Sequence, residues 1–356
     1  MSFTDNITGT AIVFTNGLLH TDSAKTAHGL IRGSARFRIA GIVDTAHAGK
    51  EAGTLLDGKH RNIPVFANIQ QALAQSGQKI DYGIVGIAPV GGRLPAPMIE
   101  DLRYCLENGI SVVSGLHEYV SELPGMADLA RQSGARIVDV RLPKHKSQLH
   151  FWSGDIFKVH CPIVAVMGLD TAIGKRTTAR MLTEACRKAG MKAEMIYTGQ
   201  TGWMQGNAYG FVLDSVYNDF VSGELEHAIY TCYQEIQPDI IFLEGQSSLR
   251  NPSGPCGAEF LLSGQAKQVV LVYDPKQKYF DHEKPWGKVP TIKQEIALIR
   301  QYGSKVIGIA LNTRQCSLEE AFLIREQLAL AAKVPVVLPV EEGVEGLVRV
   351  LRGLLM

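Results

Sequence analysis

A chain of 356 residues is too long for one hydrophobic core of ordinary size, and 46% apolar with 20% charged residues describes a folded protein, best divided into two domains. A formal net charge of +1 supplies no global field to hold nucleic acid or an anionic membrane surface. No stretch reaches the roughly 18 apolar residues of a membrane span.

The N-terminal MSFTDNITGTAIVFTNG lacks a basic segment, and its apolar run is too short for a signal peptide. The six cysteines (105, 161, 186, 232, 256, 316) show no metal-ligand spacing and no CxxC pair. A cytoplasmic protein with reduced thiols and no metal centre is expected.

Short β-branched runs then alternate with helical patterns, which predicts α/β architecture with parallel sheets. In the first part the predicted strands are 37–44 (FRIAGIVD), 63–69 (IPVFANI), 82–89 (YGIVGIAP), 110–115 (ISVVSG) and 136–141 (RIVDVR). Between them NIQQALAQSG and APMIEDLRYCLENG read as helices, each closed by a glycine. Five such strands make an N-terminal Rossmann-like domain, taken as residues 1–150. Neither GIVDTAHAGKEAG nor the glycine-rich GIAPVGGRLP (86–95) spells the G-x-G-x-x-G fingerprint, so an NAD-linked redox role is not expected. LPKHKSQLHFWSGDIFKVH (142–160) breaks the rhythm with Pro, Lys and His and reads as the connection.

The second series, residues 151–356, has predicted strands at 161–168, 192–199, 239–245, 268–274, 305–312 and 334–340. EGLVRVLRGLLM closes it as an amphipathic helix. Its first strand runs into VMGLDTAIGKRTTARML, a glycine-rich loop followed by a helical run. That order predicts a P-loop NTPase-like doubly wound parallel sheet. Backbone N–H groups at the helix start converge on an anion, Gly168 and Gly174 let the backbone curl around it, and Lys175 adds a point charge. The common loop places a Ser or Thr straight after the lysine to hold magnesium; here the residue is Arg176. Thr177 and Thr178 sit about 100° and 200° further round the helix. A phosphate clamp is predicted, with Arg176 suited to a second phosphate and magnesium-dependent hydrolysis disfavoured.

Glu244 ends the strand DIIFLEG at the carboxyl edge of the sheet, where such folds bind ligands. In a nucleotide enzyme it would hold magnesium; in an acyltransferase it would accept a proton from a substrate ammonium. Gln246, Ser247 and Ser248 suit a carboxylate or an oxyanion, or are turn residues. In YTGQTGWMQG the polar handles are Gln200 and Thr201. DSVYNDFVSGELE (214–226) reads as a helix with Asp214 and Asn218 on one face and Asp219 beside it, acids suited to an amino group. KQKYFDHEKPWGKVPT (276–291) carries four lysines, His282 and Trp286, and reads either as a lid over an anionic cofactor or as a charged connection.

GLDTAIGK resembles the G-x-D-T-x-x-G-K loop of dethiobiotin synthetase, and LEGQSS resembles the acidic motif of that group. TAIGKRTTA, YTGQTGWM, YGFVLDSVYNDFVSGELE and FLEGQSSLRNPSG together resemble the two-domain family catalogued as domain of unknown function 1611. Some of its members are D-amino-acid N-acetyltransferases that act on D-glutamate with acetyl-CoA. The resemblance implies that acetyl-CoA lies on Gly168, Asp170, Thr171, Gly174, Lys175, Arg176, Thr177 and Thr178. It implies catalysis by Glu244, Asp219, Gln246 and Ser247, with the amino acid held by Gln200, Thr201 and Asp214. The rivals are a ligase or kinase using ATP with Mg, and a nucleotide-sensing module without catalysis. A homo-oligomer acting on a small molecule, with neither nucleic acid nor membrane as partner, is expected.

Overall fold

The structure, a computed structural model, describes residues 7–89 and 91–355. Residues 1–6 of the leader reading and Val90 of the 86–95 loop lie outside the described residues. The chain forms two compact units, one of residues 1–143 with 200–207, the other of residues 144–199 with 208–356. The division is therefore not a single cut at residue 150.

In the first unit the described strands are β1 Gly9–Phe14, β2 Phe37–Val43, β3 Val65–Phe66, β4 Tyr82–Val85, β5 Ser111–Ser114 and β6 Ile137–Asp139. They pair in parallel in the order β3-β2-β1-β4-β5-β6, the order of dinucleotide-binding sheets. This corrects the five-strand expectation: the strand that was passed over, β1, is the centre of the sheet. Its residues Ala11–Phe14 are buried on both faces, so the segment reads as a short apolar run without alternation. The strand expected at 63–69 shrinks to two residues because Asn68 caps the next helix, Ile69–Gln75, accepting from the Gln71 amide at 2.8 Å. Phe14, Met98, Leu102 and Val112 lie in one buried core with Ile12.

The short helix Gln200–Met204 belongs to this unit, and all five of its residues are buried. Trp203 lies under the Arg36 guanidinium, 4.3 Å from the ring centroid, and its carbonyl accepts from Arg36 Nε at 2.9 Å. Gln205 Nε2 donates to the Gly29 carbonyl at 2.8 Å.

The second unit has β7 Ile163–Gly168, β8 Ala193–Ile196, β9 Ile240–Glu244, β10 Gln268–Tyr273, β11 Lys305–Leu311 and β12 Val336–Val337, ordered β12-β11-β10-β7-β9-β8 and parallel throughout. Strand β7 is flanked by β9 and β10, with Val166 opposite Glu244 and Gly168 opposite Val272. The crossover from β9 to β10 therefore passes over β7. The carboxyl ends of these three strands form the switch point where such sheets place their ligands.

The helix expected at 214–226 begins later, at Asn218, and runs to Ile236. Leu213–Ser215 is one 3₁₀ turn, and Val216 and Tyr217 are extended. Asp214 and Asn218 therefore do not share a helix face. Among the described residues no helix is long and apolar enough to cross a membrane.

Candidate functional site

The phosphate-type loop starts where β7 ends. At Gly168 a Cβ would lie 2.8 Å from Ile173 Cδ1 and 3.1 Å from Lys175 Cδ, so a larger residue would have to displace those side chains. Gly174, at φ +105°, turns the chain into the helix Lys175–Lys188. At the end of β11 Asn312 Nδ2 donates to the Ile173 carbonyl at 2.9 Å and holds the loop crest. Lys175 is buried and its Nζ donates to the Asp170 carbonyl. Thr178 is buried and Thr177 half-buried in the first turn of the helix.

The Asp170 carboxylate is hydrogen-bonded within the protein. Its side chain is fully buried; Oδ1 accepts from Asn251 Nδ2 at 2.7 Å, and Oδ2 accepts from Gln277 Nε2 at 2.7 Å and the Asp281 amide at 2.8 Å. The Thr171 hydroxyl bonds the Asp281 carboxylate. Asp170 and Thr171 thus tie the loop to residues 251 and 277–281. Within 276–291, the stretch that suits either a lid or a charged connection, this part is anchored, whereas Trp286 is exposed.

Glu244 stands at the end of β9, beside the strand that launches the loop, and is 2% exposed. The Thr198 amide donates to its Oε2 at 3.0 Å, and the Thr198 hydroxyl donates to its carbonyl at 2.6 Å. Burial pushes the Glu244 carboxyl above the ordinary range. Arg176, the Thr198 and Gly199 amides and Lys175 all favour its ionised form without overcoming burial. A guanidinium at the magnesium-hydroxyl position therefore acts on the acid that would share that metal.

Gln246 and Ser247, equivalent in sequence, separate here. Gln246 Nε2 donates to the Thr198 hydroxyl at 3.0 Å and so props the residue that holds Glu244. Ser247 sits at φ +33°, a strained backbone for a residue with a side chain, and its buried hydroxyl has no hydrogen-bond partner.

Gln200 and Thr201 are buried in the first unit. Gln200 Oε1 accepts from Arg141 Nη2 at 3.0 Å, and the Thr201 and Thr26 hydroxyls lie 3.1 Å apart. Asp214 and Asp219 are exposed. The buried acids of that motif are instead Glu224 and Glu226. Glu224 accepts from Lys144 Nζ at 2.6 Å and the His150 amide at 3.0 Å. Glu226 accepts from the amides of Ser153, Gly154 and Ile156 at 2.6–3.1 Å. No local signal marks them, since their partners lie 70 to 80 positions away.

In the first unit Asp44 follows β2, where dinucleotide-binding sheets carry a ribose-binding acid. Here it is buried and saturated by its own chain: Thr15 Oγ1 at 2.6 Å, the Leu19 amide at 3.0 Å and His47 Nδ1 at 2.7 Å. Among the described residues no three His, Cys, Asp or Glu side chains converge as a metal site. What the second unit offers is an anion cradle with a buried acid and an unpaired hydroxyl at its edge.

Residues 150–348 match the P-loop domain, and residues 45–143 the Rossmann-like domain, of the family described as domain of unknown function 1611. The chain is 27% identical over 271 residues to a D-glutamate N-acetyltransferase of Pseudoalteromonas sp, covering 74% of this chain and 79% of that protein. It is 28% identical over 272 residues, with the same coverage, to a D-glutamate N-acetyltransferase of Tritonibacter scottomollicae. The crystal structure of a family protein from Anabaena variabilis superposes with a TM-score of 0.88 at 28% identity, covering 97% of this chain and 99% of that one. This chain, with its Rossmann-like and P-loop units, belongs to the domain of unknown function 1611 family.

Proposed function

We propose that the protein is an N-acetyltransferase that moves the acetyl group of acetyl-CoA to a D-amino acid such as D-glutamate. The observation that carries this reading is Arg176 directly after the loop lysine, with the buried Glu244 ending the strand beside the one that launches the loop. A hydrolytic loop needs a hydroxyl at that position and the strand-end acid to share magnesium. A fixed guanidinium neutralises phosphate without a metal and leaves the acid for proton transfer. The names of the two bacterial relatives support the same chemistry.

The residues divide the work as follows. The helix start at Gly174, Lys175 and Arg176 holds the CoA diphosphate. Glu244 takes a proton from the substrate ammonium as general base. The freed amine attacks the thioester carbonyl and forms the C–N bond. The Ser247 hydroxyl donates to the carbonyl oxygen as charge builds there. The C–S bond then breaks, the proton held by Glu244 passes to the departing thiolate, and the new amide nitrogen releases its extra proton to solvent.

The test follows free thiol release from acetyl-CoA with D-glutamate, in EDTA and without nucleotide. Thiol release under those conditions is expected. No release across a panel of D-amino acids would overturn the reading, and release only with ATP and magnesium would point to a ligase of the dethiobiotin synthetase type.

A further inference from the structure

A cavity of about 690 Å³ lies in the second unit, within the range of small-molecule sites. Its floor includes Val289, Ile296 and Leu328. Lys278, Lys288 and Lys293 line it, and among the described residues none of the three has an ion-pair partner. The other lysine at the start of the 276–291 segment, Lys276, is by contrast paired with Glu320. Tyr273 and Tyr279 add two aromatic rings. An apolar floor, aromatic walls and three uncompensated cations suit a flat base carrying a phosphate.

Two contacts join this cavity to the phosphate loop. Gln277 lines it and donates to Asp170 inside the loop at 2.7 Å. Tyr273 follows Val272, which pairs with Gly168 at the loop's first residue. An acyl-CoA has two separated anionic groups, the diphosphate and a 3′-phosphate beside adenine. On the acyltransfer reading the loop takes the diphosphate, which leaves the 3′-phosphate to be held elsewhere.

We infer that the cavity takes the 3′-phosphorylated adenosine end of the acyl-CoA, an inference that rests on the acyltransfer reading above. The three lysines hold the 3′-phosphate, and the tyrosines face the base.

Calorimetry with CoA and with 3′-dephospho-CoA tests it. The wild-type protein is expected to bind CoA roughly tenfold tighter or more, the scale of one charge-assisted contact. The combined Lys278→Ala, Lys288→Ala and Lys293→Ala variant is expected to bind both ligands alike, at the wild-type affinity for dephospho-CoA. The matching triple arginine variant keeps the preference. If the alanine triple does not fold, the single variants carry the test, each lowering the preference severalfold. Equal binding of the two ligands by the wild type, or a preference that survives the alanine variants, overturns this inference alone. Binding of neither ligand overturns the acyltransfer reading with it.

Discussion

Glu244 binds its proton more tightly in the folded protein than in the unfolded chain, because its pKa is raised by burial. Stability therefore falls as pH rises from the ordinary glutamate value of 4.5 through the folded one. Glu244→Gln removes that cost. It is expected to raise the melting temperature at neutral pH, with a smaller gain below 4.5, while lowering turnover by roughly 10²–10⁴-fold. An unchanged melting temperature would show that the charge is not desolvated. Ser247→Ala deletes a buried hydroxyl that satisfies no other group. Turnover should fall about 10²-fold or more with stability nearly unchanged, as thiol release and thermal unfolding would record. Lys175→Ala should weaken acetyl-CoA binding roughly tenfold or more by calorimetry. At this scale the sequence displayed Lys175, Arg176 and Glu244 at their strand and helix ends. It did not separate Ser247 from Gln246, because that distinction depends on Thr198, 48 positions from Gln246.

The helix Asn218–Ile236 fastens the connecting segment through two buried acids. Glu226 accepts from three amides and the Ser153 hydroxyl. Glu226→Ala orphans those donors, and at about 1–3 kcal/mol for each buried group left unmade, a loss of at least ~2 kcal/mol is expected in urea unfolding. Glu224 shows the opposite titration to Glu244. Burial raises its pKa, but the Lys144 and His150 contacts outweigh burial and lower it. Its contribution is present above 4.5 and is lost as pH falls through the lowered folded value. The destabilisation by Glu224→Gln at neutral pH should therefore fade progressively as pH falls below 4.5. At element scale, most strands and helices were legible because their periodicity is local. The centre strand β1 was not, since a strand buried on both faces carries no alternation.

The two units are not two lengths of chain. The segment Gln200–Asn207, which holds the helix Gln200–Met204, lies in the first unit although the residues on either side of that segment belong to the second. A protease site introduced between Pro143 and Lys144 should therefore leave both fragments associated on gel filtration after cleavage. Separate elution of two folded fragments would contradict this. Trp203→Ala, which removes a buried ring from under Arg36, should cost roughly 3–5 kcal/mol, measured by denaturant unfolding.

The sequence by itself determined the two α/β series and the phosphate loop, because strand, glycines, lysine and helix are contiguous from 163 to 188 and need no distant partner. Tertiary structure decided the rest. Asp170 became an anchor because Asn251, Gln277 and Asp281 reach it from 81 to 111 positions away. Helix Gln200–Met204, with Gln205 after it, joined the first unit because Arg36, Arg141 and Gly29 complete its buried contacts. Local pattern fixes what a segment becomes; which groups it satisfies depends on chain folded back from far along the sequence.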